Sequence, residues 1–241
     1  MPMREEGYPR AAATSPLLQV RERTGSTNAD LVAAVARDPG AWPHLSVLLT
    51  TDQTAGRGRL DRSWTAPRGS ALAASVLVRV PAIPPAARGW IPLVAGLAMA
   101  RAIAAQLTGH GHTVRAKWPN DVLVEPAAVP GRAVGGGPPG GGKICGILAE
   151  AVPGDTDAVV IGAGVNTRMA AVDLPVPTAI SFAALGAQCD DDALLADYLT
   201  TLDEQLSALA AAGGDAAAAG VAAAVEAVCA TLGQQVAVAL P

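Results

Sequence analysis

Lysine is scarce in this chain, and its scarcity makes the two lysines informative. Of 241 residues only Lys117 and Lys143 are lysine, whereas fifteen are arginine. Lysine carries a compact point charge and arginine a planar fork of donors, so the two suit different partners. Each lysine lies in a short, motif-like segment. We therefore favour anion-binding roles for both over incidental surface positions.

Cysteine and positive charge are also limited, which excludes several classes of protein. Cys145, Cys189 and Cys229 are widely spaced, with no Cys-x-x-Cys pair and no partner histidines, so the sequence predicts neither a zinc site nor a disulfide framework. We expect reduced thiols. The formal net charge of −4 argues against non-specific nucleic-acid binding.

Long hydrophobic runs are missing as well. Residues 1–23 contain charged and proline interruptions where a signal peptide would have its apolar core. The longest apolar run, 90–100, ends at Arg101 and is too short to span a bilayer. We predict a cytoplasmic protein with no membrane partner.

The residues that are present predict one large globular domain. Hydrophobic residues make up 51% of the chain and charged residues 16%, enough to build a core of mainly alanine, valine and leucine. We expect a flexible lead-in over 1–15, a catalytic domain over 16–230, and the start of a second small domain over 231–241.

Hydrophobic periodicity predicts an α+β fold, with a mixed sheet backed by helices. Residues 125–142 are rich in glycine and proline and predict an exposed loop. The predicted strands cover 17–23, 46–51, 71–80, 114–118, 121–124, 143–152, 158–165 and 235–240, and the predicted helices 26–37, 87–107, 190–209 and 214–230.

A loop rich in glycine and arginine follows the second predicted strand. Between Gln53 and Trp64 it carries Arg57, Arg59 and Arg62. Glycine allows close approach of the backbone, and clustered guanidinium groups suit phosphate oxygens. A solvated turn or an RNA contact is the alternative, and the acidic net charge disfavours the RNA contact.

Two further segments place lysine at chemically useful positions. Lys117 and Asp121 flank a Trp-Pro-Asn turn, where they could hold a phosphate and a magnesium ion; a salt-bridged hairpin is the alternative. Lys143 stands at the mouth of an apolar strand, where it could stabilise developing negative charge.

Small polar residues mark two more candidate positions. Ser26, Thr27 and Asn28 lie at a predicted helix N-terminus, which suits a polar head group, although simple capping explains them equally well. Gly162 to Asn166 form a strand of small residues, as expected where a flat ligand lies against the backbone.

Taken together and in this order, these segments closely resemble the biotin–protein ligases, that is the biotin–[acetyl-CoA-carboxylase] ligases. The resemblance covers about residues 17–210, and the Gly56–Arg59 loop with the Lys117–Asp121 motif is its most specific part. It implies a mixed sheet backed by helices, related to the core of class II aminoacyl-tRNA synthetases.

The resemblance also implies roles for individual residues. Catalysis would depend on Lys143, Arg59, Arg57 and Lys117, and Asp121 would contact Mg²⁺. The implied biotin site is Ser26, Thr27, Asn28, Gln53, Arg57, Gly58, Arg59, Lys143, Gly146 and Gly164. The implied nucleotide site is Arg59, Arg62, Trp64, Lys117, Asn120, Asp121 and Asn166.

The implied reaction uses biotin, ATP and Mg²⁺, without a tightly bound organic cofactor. Biotin is first converted to biotinyl-5′-AMP and then transferred to a lysine of a biotin carboxyl carrier domain of acetyl-CoA carboxylase or a related acyl-CoA carboxylase. No covalent enzyme intermediate is expected. The chain would act as a monomer or weak dimer.

The chain differs from the family pattern in two ways, which bear on the alternative functions that stay open. Only 25 residues precede Ser26, so we expect no DNA-binding domain. The C-terminal SH3-like domain of the family would be reduced to its first strand, 235–240. The alternatives are therefore a lipoate- or octanoyl-protein ligase, or a shortened homologue that binds biotin without transferring it.

Overall fold

An eight-stranded mixed sheet organises the protein. The structure is a computed structural model that describes residues 3–4, 7–60, 62–125 and 141–235. Most of the predicted glycine- and proline-rich loop over 125–142, and nearly all of the predicted strand over 235–240, lie outside these residues.

The sheet has the strand order β1-β2-β3-β6-β10-β9-β8-β7. Only β2 and β3 run parallel; every other neighbouring pair is antiparallel. Two short strands, β4 and β5, form a separate hairpin. The strands are β1 (Met3–Arg4), β2 (Leu18–Val20), β3 (Val47–Thr50), β4 (Gly56–Arg57), β5 (Ser63–Trp64), β6 (Ala71–Arg79), β7 (Thr113–Lys117), β8 (Asp121–Glu125), β9 (Gly142–Val152) and β10 (Asp155–Asn166).

Within the part of the chain that the structure describes, five α-helices accompany the sheet: α1 (Pro9–Thr14), α2 (Thr27–Arg37), α3 (Trp90–Gln106), α4 (Asp191–Ala211) and α5 (Val221–Val228). Short 3₁₀ turns occur at Pro39–Ala41, Pro85–Ala87, Ala171–Asp173 and Ala183–Leu185. The α+β class and the mixed sheet predicted from the sequence are confirmed.

The two faces of the sheet are covered very differently. Alternate residues of β6, such as Leu72 and Val76, join the main core with α3 and α4. On the opposite face, Leu77 packs with Leu31 and Val35 of α2 in a much smaller cluster. Because successive strand residues point to opposite faces, the core is built on one side. The other side is left partly open, where the functional cleft lies.

Helix α3 is apolar on all sides, as expected of a helix enclosed by the core. Pro85–Gln106 has the length and composition of a membrane span. However, 56% of an 18-residue apolar stretch within it is buried inside the protein, where α3 contacts the sheet, α4 and α5. Its composition is thus explained by packing.

The N-terminal segment differs from the flexible lead-in predicted over 1–15, because it contains α1. Ala11 is fully buried, and the helix packs on α4. The carboxylate of Asp192 accepts hydrogen bonds from the backbone N–H groups of Arg10 (3.1 Å) and Ala11 (2.9 Å). Asp192 therefore satisfies first-turn donors of α1 that have no partner within the helix. This long-range contact gives no local sequence signal.

The last described helix is shorter than predicted. The prediction was 214–230, but α5 begins at Val221, because Gly214 and Gly220 adopt positive φ values of 89° and 72°. After α5 the chain reaches the outer edge of the sheet, where Ala230 N–H donates to Ala116 O (2.8 Å).

Candidate functional site

The open face of the sheet carries a cleft with about 820 Å³ of empty space, counting its mouth. All the predicted site residues except Lys117 and Asn166 line it. The lining residues are Ser26, Thr27, Asn28, Gln53, Arg57, Gly58, Arg59, Arg62, Ser63, Trp64, Ala73, Asn120, Asp121, Lys143, Gly146, Ile147, Leu148, Gly162, Ala163 and Gly164.

The floor of the cleft is a flat shelf of very small residues. Gly146 of β9 lies opposite Gly164 of β10, which lies opposite Ala73 of β6. The indole of Trp64 rests directly on this shelf: a Cβ built on Gly164 would lie 2.9 Å from Trp64 Cε2. Gly164 therefore makes room for the indole itself, and a planar ligand in the cleft would have this aromatic ring beside it.

The N-terminus of α2 forms one wall. Ser26 caps the helix by accepting a hydrogen bond from Ala29 N–H (3.3 Å). Gln53 Oε1 accepts hydrogen bonds from Thr27 N–H (2.9 Å) and Thr27 Oγ1 (3.1 Å). These two contacts fix the Gln53 amide, so its Nε2 donor is the end left for a ligand. The capping role and the binding role left open by the sequence are thus compatible.

The Asn28 amide is held from three sides. Its Nδ2 donates to Leu148 O (3.1 Å) and to Glu150 Oε2 (2.8 Å), and its Oδ1 accepts from Ser75 Oγ (2.6 Å). Both amide hydrogens are therefore engaged within the protein. Gly162 leaves room for this amide, since any side chain there would collide with it. Asn28 accordingly shapes the wall and has little donor capacity left for a ligand.

A β-bulge directs Lys143 into the cleft. Along β8, Val122 is opposite Cys145 while Leu123 is opposite Lys143, so Ile144 is the extra residue on β9. Ile144 and Cys145 are both buried in the core. Strict alternation would have put Lys143 on the core side with Cys145. Bulges next to functional sites re-aim side chains in this way.

The head of Lys143 lies at the floor beside a carboxylate. Its Nζ is 2.6 Å from Asp121 Oδ1, and the two side chains are 40% and 23% exposed. A Cβ built on Gly146 would lie 3.1 Å from this Nζ. The absence of a side chain at Gly146 thus provides the space for the lysine head. The backbone of Lys143 is also fixed, since its N–H donates to Thr178 O (2.7 Å) and its O accepts from Ile180 N–H (2.9 Å).

Among the described residues that line the cleft, Asp121 is the single carboxylate. The neighbouring Asn120 donates through Nδ2 to Ile147 O (2.9 Å), which anchors the β7–β8 turn to β9. The described part of the chain contains no group of three or more His, Cys, Asp or Glu residues able to hold a metal. One carboxylate suits a Mg²⁺ ion carried largely by nucleotide phosphates, but not a cage made entirely of protein ligands.

The glycine- and arginine-rich loop forms the opposite wall as the β4–β5 hairpin, which periodicity did not predict. Arg57 Nη2 lies 3.0 Å and 2.9 Å from the two carboxylate oxygens of Glu150. Gly58 N–H donates to Arg62 O (2.6 Å), which keeps the hairpin tight. With Arg59 and Arg62 also lining the cleft, this wall is strongly cationic and suited to an anionic ligand.

Two predicted site residues lie elsewhere. Lys117 is an exposed residue of β7 outside the cleft, and although it is opposite Asp121 in the strand register, Asp121 pairs with Lys143 instead. Asn166 is buried beyond the shelf and donates through Nδ2 to Ile180 O (3.0 Å). In this structure Asn166 supports the chain around Ile180 rather than the cleft wall.

Some residues at the site were given no individual role from the sequence, although Gly162 and Ala163 belong to the strand of small residues that it marked as a candidate position. The lining residues among them are Ser63, Ala73, Ile147, Leu148, Gly162 and Ala163. Ser75 and Glu150 stand behind the wall and hold Asn28. Ser75 is a fully buried hydroxyl within an otherwise apolar strand, and Glu150 is a charge in the middle of one. Both were detectable as polar interruptions of apolar strands, since buried polar groups need partners.

No nucleophile is offered by the nearby thiol. Cys145 is in the strand that carries Lys143, but its side chain faces the core and is 1% exposed. Burial raises the pKa of the Cys145 thiol, with the nearby Lys143 partly opposing this effect. The group therefore stays protonated and unreactive near neutral pH. All three cysteines are free in the structure.

Comparison with known proteins identifies the family. The model of the biotin/lipoate A/B protein ligase family matches residues 21–166. The chain belongs to this family. That stretch contains every lining residue of the cleft, so the cleft coincides with the part of the chain that defines the family.

Relatives within the biotin/lipoate ligase family narrow the comparison. The chain is 38% identical over 182 residues to a biotin–[acetyl-CoA-carboxylase] ligase of Mycobacterium tuberculosis, covering 76% of this chain and 60% of that protein. A ligase of the same name from Paracoccus denitrificans is 36% identical over 148 residues, covering 60% of this chain and 52% of that one. The chain thus spans only about half to three fifths of these relatives.

A solved structure shares the fold. The Leishmania major biotin protein ligase in complex with biotinyl-5-AMP superposes with a TM-score of 0.67 at 23% identity, covering 94% of this chain and 86% of that chain. The two proteins therefore share the fold of this sheet and its helices.

Proposed function

We propose that this protein is a biotin–protein ligase, which activates biotin with ATP and transfers it to a lysine of a carrier domain. The observation that carries the proposal is the placement of Lys143. A bulge turns this lysine onto a glycine shelf, facing a loop with three arginines. The M. tuberculosis and P. denitrificans relatives carry that ligase name.

The cleft suits a bicyclic ligand with a carboxylate tail. The small residues of the floor leave the cleft open for a flat ring beside the Trp64 indole, which itself rests on Gly164. The Nε2 group of Gln53, fixed by Thr27, supplies a donor for a ring carbonyl. Lys143 lies where a carboxylate tail would end, and it can exchange its contact with Asp121 for that tail.

In the first step, a biotin carboxylate oxygen attacks the α-phosphorus of ATP, and pyrophosphate leaves. Negative charge develops on the phosphoryl oxygens as the new P–O bond forms. Lys143 on the floor and Arg57, Arg59 and Arg62 on the wall are positioned to stabilise that charge. Mg²⁺, contacted by Asp121, would neutralise the nucleotide phosphates.

In the second step, a neutral lysine amine of the acceptor attacks the carbonyl carbon of the mixed anhydride. The bond to AMP breaks, AMP leaves, and the amine loses its proton as the amide forms. The buried, protonated Cys145 takes no part, so the protein forms no covalent intermediate. We infer that the acceptor is a biotin carboxyl carrier domain of an acyl-CoA carboxylase, and that the reaction is cytoplasmic.

The proposal is tested by ATP–pyrophosphate exchange with Mg²⁺, run in parallel with biotin, lipoate and octanoate. Biotin-dependent exchange, followed by avidin detection of a labelled carrier domain, supports the full reaction. Exchange that depends on lipoate or octanoate would mean that this acid, and not biotin, is the substrate. Exchange without transfer would restrict the activity to adenylate formation, and no exchange with any acid would refute the proposal.

A further inference from the structure

Glu150 is a charged residue on the cleft side of a central strand, and it does not line the cleft. It lies on β9 opposite Val160, on the same sheet face as Gly146. Its side chain is 27% exposed. A partly buried carboxylate beside a site for anionic ligands would repel them unless it were neutralised. The residues that neutralise it indicate its role.

Its carboxylate contacts both walls of the cleft at once. Oε2 accepts from Asn28 Nδ2 (2.8 Å) at the start of α2, and both oxygens accept from Arg57 Nη2 (3.0 and 2.9 Å) in the β4–β5 hairpin. These walls are separate elements, since the hairpin pairs with no strand of the main sheet. Glu150 is thus a direct link between them.

The link leaves Arg57 able to bind a ligand. Arg57 contacts Glu150 through Nη2, so among the described residues Nη1 and Nε remain as donors on a group that lines the cleft. An arginine fork with one nitrogen held is oriented while its other donors stay available. This geometry fits a residue that orients Arg57, and not one that blocks the site by occupying Arg57 completely.

We propose that Glu150 is a positioning residue that fixes Arg57 and Asn28 relative to each other before substrates bind. Its negative charge is compensated by Arg57, so the pair adds order to the cationic wall without adding repulsion. This rests on the proposed function only for its consequence in catalysis; the contact itself can be tested without any ligand.

The first test is limited trypsin digestion of the ligand-free protein, with cleavage after Arg57 and after Arg59 measured separately by mass spectrometry. Trypsin must take the arginine side chain into its own acidic pocket, so an arginine held by Glu150 is protected. The described part of the chain gives Arg59 no such ion pair, which makes it an internal reference. We compare the wild type with Glu150→Gln.

The Glu150→Gln variant should raise the ratio of Arg57 to Arg59 cleavage about fivefold, the upper range for losing a half-exposed ion pair. In the wild type, 1 M NaCl should move the ratio in the same direction, because salt screens the pair. Glu22→Gln is the matched control. Glu22 forms an ion pair with Arg68 at a distance of 2.9 Å, and neither residue lines the cleft. An unchanged ratio in Glu150→Gln would overturn the contact.

The second test is biotin-dependent ATP–pyrophosphate exchange by the same variants. With Arg57 no longer oriented, kcat/KM should fall about tenfold in Glu150→Gln but not in Glu22→Gln, while the unfolding temperature stays close to that of the wild type. Normal exchange despite a changed trypsin ratio would refute the positioning role. If the wild type shows no exchange while the ratio changes, the proposed function fails and the Glu150 contact stands.

Discussion

Replacing Lys143 with arginine should separate the charge of this residue from its shape. The Lys143 Nζ sits 2.6 Å from Asp121 Oδ1 and almost against Gly146, where a Cβ would approach it to 3.1 Å. A guanidinium is broader and planar, so it cannot occupy the same space. It keeps the positive charge but moves it away from the place where negative charge develops.

The Lys143→Arg change should lower kcat far more than it lowers the free energy of unfolding. Losing one donor aimed at developing charge costs about 100- to 1000-fold in kcat, or roughly 3–4 kcal/mol. The Lys143–Asp121 pair is partly exposed, at 40% and 23%, so weakening it should cost about 1 kcal/mol or less of the free energy of unfolding. For a chain of this size that lowers the unfolding temperature by about 2–4 °C.

The assay is biotin-dependent ATP–pyrophosphate exchange, paired with thermal unfolding of the same preparations. Lys117→Arg is the matched comparison, since Lys117 is exposed and lies outside the cleft, so its loss of activity should be much smaller. Exchange by Lys143→Arg within about threefold of the wild type would refute the role of Lys143, because the expected effect is far larger. Equal losses in both variants would refute the placement of Lys143 as the principal cation.

Three further changes probe other parts of the structure. Gly164→Ala should push the Trp64 ring off the shelf and lower biotin affinity, which a shift in tryptophan emission and titration calorimetry would detect; unchanged affinity would contradict the shelf. In native protein at pH 8, iodoacetamide should label Cys229 well before the buried, high-pKa Cys145, as mass spectrometry can check; early labelling of Cys145 would contradict its burial. Asp192→Ala should remove two first-turn contacts of α1 and lower the free energy of unfolding by about 1–2 kcal/mol in urea, with pyrophosphate exchange retained; no loss of stability would refute the cap.

The sequence was sufficient to predict the fold class and most of the cleft wall. Strands such as β6 and β10 are apolar runs of the right length, and α3 is a continuous apolar helix. Such patterns indicate the type of element without knowledge of what it packs against. Family-like motifs placed Ser26, Gln53 and Lys143 together, and the structure brings all three to one cleft.

What the sequence could not predict depends on contacts between distant residues. The Arg57–Glu150 pair joins residues 93 positions apart, and the Asp192 cap on α1 spans about 180. Lys117 was assigned to the site from its motif; it shares the sheet face of Asp121, its partner in the register, but it is exposed on β7 and does not line the cleft. For Lys143 the sequence does not show the bulge that decides which face of the strand its side chain occupies.

The same bulge explains how one strand serves both core and cleft. Before it, Lys143 faces the cleft; after it, Gly146 does, while Ile144 and Cys145 both pack into the core. The core face can therefore keep large side chains, while the shelf positions on the cleft face are glycine and alanine. Since burial on the core face dominates stability, substitutions on the shelf should change ligand binding far more than folding. A deletion of Ile144 should act in the opposite way to a shelf variant: it removes a fully buried side chain, which lowers the free energy of unfolding, but it also removes the bulge, so ordinary alternation from Cys145 keeps Lys143 facing the cleft.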